Sequence, residues 1–191
     1  MTRIAIIVGT KGRGSNMRAI IEACRMGQLS ATVAIVIAPK PYTPAVDAAE
    51  ALGAKVEVLE NFEEDLSRVL SENSIDLVCL AGYMRLIPTD VVSEYEGRML
   101  NIHPALLPKF GGKGMWGMKV HEAVIDAGEK ETGCTVHFVS EKYDEGSILL
   151  QIKCPVQPFD TPESLAARVL ELEHQCYIEA IKKWQENAKW A

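Results

Sequence analysis

The sequence lacks long apolar runs, paired cysteines and an excess of positive charge. Its apolar residues, 48% of the chain, never continue for the roughly 18 positions that a membrane-spanning helix requires. The five cysteines are scattered and contain no C-x-x-C pair, which argues against a disulfide framework and a structural zinc site. No charged leader precedes a signal-length apolar segment. These absences predict a protein without a membrane span, and they favour a reducing, cytoplasmic compartment.

Charge and length restrict the partners and the architecture further. The formal net charge of −6 gives no electrostatic reason to bind a polyanion such as RNA, although a local basic pocket for a small phosphate ester remains compatible with it. We therefore expect no nucleic-acid partner, and the scattered cysteines give no reason to expect a metal. With 191 residues the chain is expected to form a single domain, 1–191, which can bury roughly 70% of the surface of the unfolded chain.

Short runs rich in valine and isoleucine alternate with amphipathic segments through the first hundred residues. Strands are predicted at 3–8, 32–38, 55–59, 76–80 and 99–102. Between the first two strands, apolar residues from Met17 to Cys24 recur at helical spacing and Gly27 follows the last turn. Residues 44–52 and 62–70 predict two more helices. This alternation predicts an α/β fold with a doubly wound, mostly parallel sheet flanked by helices.

The pattern changes after Gly128. Residues 135–139 and 148–155 predict two strands around the Asp-Glu-Gly turn at 144–146, as a hairpin or as a longer connection to the main sheet. Thr161 then supplies an N-cap and Pro162 a first helical residue for a long helix that ends near residue 184.

A glycine-rich turn at 9–16, Gly-Thr-Lys-Gly-Arg-Gly-Ser-Asn, lies between the first strand and the first helix. The free N–H groups and positive dipole end of a helix start favour phosphate, and Ser15 and Asn16 add donors. The glycine spacing matches neither G-x-G-x-x-G nor the Walker pattern. The turn therefore predicts a site for one phosphate rather than a dinucleotide, with a tight turn capped by Ser15 as the alternative.

A second candidate follows the apolar run that ends at Leu100. Ligands of parallel sheets bind at the carboxyl ends of strands, and Asn101 and His103, two residues apart on an extended chain, point to the same side. If Asp144 approaches His103, its charge is expected to raise the imidazole pKa and produce a general acid, while Asn101 stabilises an oxyanion. The alternatives are a turn capped by Asn101, a histidine packed against prolines and an ordinary Asp-Glu-Gly turn.

Four stretches make the chain resemble the phosphoribosylglycinamide formyltransferase family over nearly its whole length. They are Gly-Ser-Asn at 14–16, Ala-Gly-Tyr-Met-Arg-Leu-Ile at 81–87, Asn-Ile-His-Pro-Ala-Leu-Leu-Pro at 101–108, and Gly-Cys-Thr-Val-His-Phe-Val at 133–139 followed by Asp144 and Gly146. The resemblance implies a Rossmann-like, formyltransferase-type domain with a phosphate-binding βαβ half at 1–100. The half at 101–191 would be catalytic and folate-binding and would contain the long C-terminal helix.

The resemblance also implies a reaction and its residues. The formyl group of 10-formyltetrahydrofolate, the cosubstrate, would pass directly to the amine of glycinamide ribonucleotide through a tetrahedral intermediate, as a step of purine biosynthesis. Asn101, His103 and Asp144 would be catalytic, and Gly14, Ser15 and Asn16 would bind the substrate phosphate. Glu173 would bind the ribose hydroxyls. The folate would contact Met84, Arg85, Leu86, Ile87, Val139, Ser140, Glu141 and Tyr143. A second copy of the chain, forming a homodimer, stays open as a partner.

The other histidines and Glu173 have structural interpretations as well. Glu173 falls in the helical row of Val169 and Cys176, so we expect it to be at least half buried, and a carboxylate at the margin of the core is the alternative. His137 lies within a strand pattern and is interpreted as structural. No pair formed by His121, His137 and His174 has metal-ligand spacing, and none is assigned to catalysis.

One segment departs from the family, and two rival functions remain. Residues 111–119, with four glycines, replace a short Pro-Gly segment, and they predict either a mobile loop that closes over substrate or a surface excursion.

A formyltetrahydrofolate hydrolase resembles the family in its Asn, His and Asp but usually carries an N-terminal domain, for which the first strand at Arg3 leaves no room. A non-catalytic phosphate-binding module would explain the glycine turn but not the other three residues.

Overall fold

The computed structural model describes residues 1–188. They form two compact units, one ending at Asn101 and the other beginning at Ile102. The strands are β1 (Thr2–Val8), β2 (Ala31–Ala38), β3 (Val56–Val58), β4 (Leu77–Ala81), β5 (Met99–His103), β6 (Glu131–Phe138) and β7 (Ile148–Pro155). The helices are α1 (Ser15–Arg25), α2 (Pro44–Ala51), α3 (Phe62–Glu72), α4 (Thr89–Glu94), α5 (Met118–Asp126) and α6 (Pro162–Ala188).

The first unit is built on parallel strands in the order β3-β2-β1-β4-β5. β1 lies between β2 and β4 and is buried from Ile4 to Val8, as expected of a central strand covered on both faces. α1 turns its apolar stripe inwards, with Met17 and Ile20 fully buried. Apolar burial in these strands and helices therefore makes up the core of this unit.

The strand order places a topological switch between β1 and β4. From this pair the chain continues to β2 and β3 on one side and to β5 on the other. In an open α/β sheet the crevice for a ligand opens outside the carboxyl ends of the strands at such a point. The turns that follow β1 and β4 are residues 9–14 and 82–88, two of the segments singled out in the sequence.

The second unit pairs β6 and β7 antiparallel, from Glu131 opposite Pro155 to His137 opposite Ile148. α6 packs against both strands and against α5. Its buried residues recur three or four positions apart, at Leu165, Val169, Cys176, Ala180 and similar places, so one face of the helix meets the strands. The hairpin alternative for residues 135–155 is thereby confirmed.

The predicted α/β class with mostly parallel strands and flanking helices is confirmed, and two helices were missed. α4 has only six residues and no side-chain cap. α5 begins at Met118, inside the segment predicted as a loop, so that prediction is wrong for its last two residues. Its N-cap is Gly117 at φ 58°, its first turn has no acid and its last turn no base, so the usual sequence signals of a helix are missing. No helix within residues 1–188 is long and apolar enough to cross a membrane.

Candidate active site

His103 is the last residue of β5, and its imidazole is held at one nitrogen by the chain that follows. Its Nε2 lies 2.7 Å from the carbonyl oxygen of Phe110. Since a carbonyl oxygen only accepts, Nε2 carries the hydrogen and donates it. The side chain is 5% exposed. The nitrogen left for chemistry is therefore Nδ1.

Asp144 faces that nitrogen from the connection between β6 and β7. Its Oδ2 lies 3.6 Å from His103 Nδ1, and the backbone N–H of Gly112 donates to the same oxygen at 2.9 Å. The gap to the imidazole exceeds a hydrogen bond, so the two side chains are adjacent without being bonded. Asp144 itself has φ 57°, a left-handed conformation that is uncommon outside glycine.

Burial dominates the electrostatics of His103. Loss of solvent lowers the imidazole pKa below its ordinary value, and the charge of Asp144 with the Phe110 carbonyl offsets this only in part. The predicted rise of the pKa is therefore wrong. For Asp144, burial acts to raise the carboxyl pKa, but His137, His103 and the N–H of Gly112 outweigh it and the net shift is downward. The ligand-free pair thus favours a neutral imidazole beside a carboxylate.

His137, left out of the site by the sequence, also contacts Asp144. Its Nε2 lies 3.4 Å from Asp144 Oδ1, and its Nδ1 lies 2.9 Å from the carbonyl oxygen of Phe138. The alternation of β6 carries a signal for this position, because Thr135 and His137 share one face of the strand. Nothing in the sequence indicates that the turn after β6 returns Asp144 to that face.

A buried hydrogen-bond network secures the chain beyond His103. The hydroxyl of Thr135 donates to the Ala105 carbonyl at 2.6 Å and accepts from the N–H of Leu107 at 3.1 Å. The amide nitrogen of Gln151 donates both to Thr135 Oγ1 at 2.9 Å and to the Leu107 carbonyl at 3.0 Å. β6 and β7 therefore fix the segment that leads to the Phe110 carbonyl.

A third histidine lies near His103. His121 on α5 is buried, and its Nδ1 has no hydrogen-bond partner within residues 1–188. Burial lowers its pKa, and a positive charge on His103 would lower it further. His121 is therefore a neutral neighbour of the catalytic candidate.

The predicted phosphate turn forms the entry to α1. Gly14 is the N-cap, Ser15 and Asn16 begin the helix, and the first turn contains no acidic residue. Gly9 packs so closely on the turn after β4 that an added Cβ would lie 1.9 Å from the Gly82 carbonyl oxygen. The helix start thus keeps its positive end uncompensated, and the turns after β1 and β4 are adjacent.

The predicted folate contacts fall in two segments, one in each unit. In the first, Met84 and Leu86 are exposed at 48% and 46% although apolar, Arg85 is exposed, and Ile87 is buried. In the second, Val139, Ser140 and Tyr143 are half-buried and Glu141 is exposed. The exposed pair in the first segment is available to an apolar ligand, whereas Ile87 is buried.

Glu173 lies on α6 and is 9% exposed, so the predicted burial is confirmed. It lies near the thiol of Cys134 on β6, whose pKa is raised by Cys176, by burial and by the Glu173 charge.

Comparison with known proteins identifies the family. A family model described as formyl transferase matches residues 2–181. Chloroplastic phosphoribosylglycinamide formyltransferases of Arabidopsis thaliana and Vigna unguiculata are 41% and 42% identical to the chain and align with 98% of it. The chain belongs to the phosphoribosylglycinamide formyltransferase family. It spans 68% and 63% of those two relatives.

Solved structures place this family member among phosphoribosylglycinamide formyltransferases in fold as well. The crystal structure of the enzyme from Bacillus halodurans has a TM-score of 0.87 at 36% identity, covering 98% of this chain and 97% of that one. A formyltetrahydrofolate deformylase from Pseudomonas syringae has a TM-score of 0.82 at 22% identity, covering 94% of this chain and 60% of that one. The likeness to the deformylase concerns the fold alone. Membership of the formyltransferase family implies a folate as the formyl donor.

Proposed function

We propose that this chain transfers the formyl group of 10-formyltetrahydrofolate to the amine of glycinamide ribonucleotide, as a step of purine biosynthesis. The observation that carries the proposal is the His103–Asp144 pair, in which one imidazole nitrogen is anchored by the Phe110 carbonyl and the other faces a carboxylate at 3.6 Å. This geometry suits a group that takes up a proton and returns it. Family membership supports the formyl donor and acceptor.

The start of α1 is proposed to bind the phosphate of the nucleotide. The N–H groups of Ser15 and Asn16 are at the positive end of the helix dipole, and no acid in the first turn competes with an anion. Gly14 brings the backbone close to the ligand, and Lys11 and Arg13 are exposed in the same turn. Glu173 is proposed to accept hydrogen bonds from the ribose hydroxyls, the role that the family resemblance implies for it.

The folate is proposed to bind through apolar and backbone groups. The exposed side chains of Met84 and Leu86 would lose water against its ring system, which favours binding. The complete set of proposed folate contacts is Met84, Arg85, Leu86, Ile87, Val139, Ser140, Glu141 and Tyr143.

The reaction begins with attack of the neutral amine on the formyl carbon. A carbon–nitrogen bond forms, the carbonyl electron pair moves to oxygen, and the nitrogen acquires a positive charge that it must shed as a proton. His103 starts neutral, because burial lowers its pKa, and takes this proton at Nδ1 directly or through one water. The imidazolium that results stands beside both the new oxyanion and Asp144.

The same proton then completes the transfer. When the bond from carbon to N10 of the folate breaks, its electron pair remains on N10, which receives the proton from His103 while the oxyanion returns to a carbonyl. Asn101 donates to the oxyanion, and Asp144 stabilises the charged imidazole during its short life. One proton moves from amine to N10 in total, and the cycle needs no covalent enzyme intermediate.

The test is consumption of 10-formyltetrahydrofolate with and without glycinamide ribonucleotide. We expect loss of the donor to depend on the nucleotide and to match the appearance of tetrahydrofolate. Loss at the same rate without the nucleotide would reject the transferase and favour the hydrolase. His103→Ala and Asp144→Ala should each reduce turnover by at least about 100-fold.

A further inference from the structure

We propose that the loop at residues 111–119 binds the aminobenzoylglutamate part of the formyl donor, with Trp116 against the benzoyl ring and Lys113 and Lys119 against the glutamate carboxylates. The inference rests on the proposed function for the identity of its ligand, and it goes further by naming residues that select that ligand. None of the three side chains belongs to the predicted folate contacts. The chain is therefore expected to prefer folates that carry several glutamates.

Both ends of the loop are fixed beside His103. At its start, the Phe110 carbonyl oxygen lies 2.7 Å from His103 Nε2, and the backbone N–H of Gly112 donates to Asp144 Oδ2 at 2.9 Å. At its end, α5 carries His121, which lies close enough to His103 for their charges to interact. The loop therefore leaves the reacting centre and returns to it.

The middle of the loop is a closed turn. The N–H of Met115 donates to the Gly112 carbonyl at 3.1 Å, and Gly114, the third residue of the turn, has φ 91°. A positive φ at this position is what a type II turn requires, and glycine adopts it without strain. Such a turn keeps the Cα atoms of its end residues within about 7 Å, so the backbone of Trp116, one residue on, stays within about 11 Å of Gly112. Trp116 is therefore held near Asp144.

The chemistry of the donor indicates which part of it meets the loop. In 10-formyltetrahydrofolate, N10 carries both the formyl group and the benzoyl ring, so the ring begins next to the reacting group and the glutamates follow it. Segment 139–144, which contains predicted folate contacts, ends at Asp144, and an added Cβ on Gly111 would lie 3.3 Å from Asp144 Cβ. The loop therefore adjoins the place where the benzoyl ring leaves the reacting centre.

The side chains of the loop suit that part of the donor. Trp116 is 37% exposed, and Lys119 Nζ lies 5.2 Å from the centroid of its ring. A single exposed aromatic residue is ordinary on a protein surface, but here it stands with two exposed ammonium groups, those of Lys113 and Lys119. This combination matches a ligand in which a benzoyl ring is joined to carboxylates, because aromatic rings stack and ammonium groups donate to carboxylates.

Charge favours an acidic ligand at this loop. Residues 111–119 contain two lysines and no acid, within a chain whose formal net charge is −6. Neither Lys113 nor Lys119 has a carboxylate partner among residues 1–188, in contrast to Lys109, Lys142 and Lys153. An acidic tail is therefore attracted to the loop and repelled by the negative surface at large.

The test is calorimetric titration of the chain with tetrahydrofolate that carries one or three glutamates. We expect the triglutamate to bind at least about fivefold more tightly, the scale of two exposed ion pairs. Lys113→Gln and Lys119→Gln should each reduce this ratio at least about twofold, and together they should bring it close to one. Added salt should reduce the ratio in the wild type. A ratio near one in the wild type, or a ratio that the double variant retains, would overturn the proposal.

Lys153→Gln is the matched control for charge. Lys153 is exposed like the loop lysines and bonds to Glu131, the first residue of β6, at the end of the hairpin opposite Asp144. The change removes the same charge and should leave the ratio as it is. A ratio reduced as much by Lys153→Gln as by Lys119→Gln would show a general effect of net charge and refute a site at the loop.

Variants of Trp116 separate the ring from its bulk. Trp116→Phe keeps an aromatic ring and Trp116→Leu keeps an apolar side chain alone. We expect Leu to weaken binding of the monoglutamate at least about fivefold and Phe to weaken it by less than about twofold. With the formyl donor, Leu should raise KM while kcat stays within about twofold. Equal affinities in all three forms, or a change of oligomeric state without a change of affinity, would assign Trp116 another role and refute its contact with the donor.

These titrations use the product folate and need neither the nucleotide nor formyl transfer. If transfer to glycinamide ribonucleotide fails while the preference for glutamates and its loss in the variants are observed, the proposed function fails and the inference stands. If transfer succeeds while the loop variants bind both folates as the wild type does, the inference fails and the proposed function stands.

Discussion

Replacing Thr135 by valine should lower the free energy of unfolding by an amount that follows from the hydrogen bonds it removes beyond His103. Valine matches threonine in shape, so no cavity opens. The change orphans the Ala105 carbonyl, the Leu107 N–H and one N–H of Gln151, all of which bond to the hydroxyl. The hydroxyl belongs to a residue with no exposed surface. At about 1 kcal/mol or more for each buried group left unpaired, the free energy of unfolding should fall by at least about 3 kcal/mol.

Equilibrium unfolding in urea measures this loss, with the slope of the transition expected to stay constant. Thr135→Ser is the matched control, since it keeps the oxygen and loses one methyl group, at about 1 kcal/mol. Gln151→Leu should combine with Thr135→Val less than additively, because the two residues share a bond. A loss from Thr135→Val no larger than from Thr135→Ser would refute the reasoning. Turnover should fall with stability, since this segment positions the Phe110 carbonyl.

Three further predictions concern the hairpin, the helix start and acid. Gly146→Ala should lower the melting temperature sharply, because the new Cβ would lie 1.7 Å from the Phe138 carbonyl oxygen; an unchanged melt would contradict the contact. Ser15→Asp should raise the KM for glycinamide ribonucleotide at least about tenfold without lowering stability, since the acid suits the helix start but repels phosphate; Ser15→Thr should not. Folding lowers the pKa of Asp144, so its carboxylate stabilises the protein above about pH 4, the carboxyl pKa of the unfolded chain. The stability difference from Asp144→Asn should therefore decrease as pH falls below about 4 and vanish only below the lowered pKa of the folded state, as unfolding curves at several pH values would show.

The fold could be predicted from local pattern because its strands are continuous apolar runs. β1 and β2 were expected within one residue of their observed bounds, since a strand buried on both faces leaves a strong signal in the sequence. α5 could not be predicted in this way, because its start at Met118 follows a glycine and has no side-chain cap. α5 packs on α6, and tertiary contacts of this kind override weak local propensity.

The candidate site is harder to predict, because it depends on how deeply its side chains are buried and on the hairpin that brings Asp144 back to His103. The sequence identified His103 and Asp144 but could not show that they meet, since that contact exists only once the hairpin folds back. The prediction of a raised His103 pKa is wrong for a similar reason: it rests on the charge of Asp144, whereas the larger effect of burial appears only in the folded structure. The sequence predicts a structural role for His137, because strand alternation marks a face of β6 but not what covers it.

The destination of the formyl carbon tests the central claim most directly. The chain would be mixed in excess with 10-formyltetrahydrofolate labelled with ¹³C in the formyl group and with glycinamide ribonucleotide, and the products of one turnover examined by NMR. We predict that the label appears in an amide of the nucleotide, with tetrahydrofolate in equal amount. Label recovered as formate instead, at a rate that the nucleotide does not alter, would contradict the account.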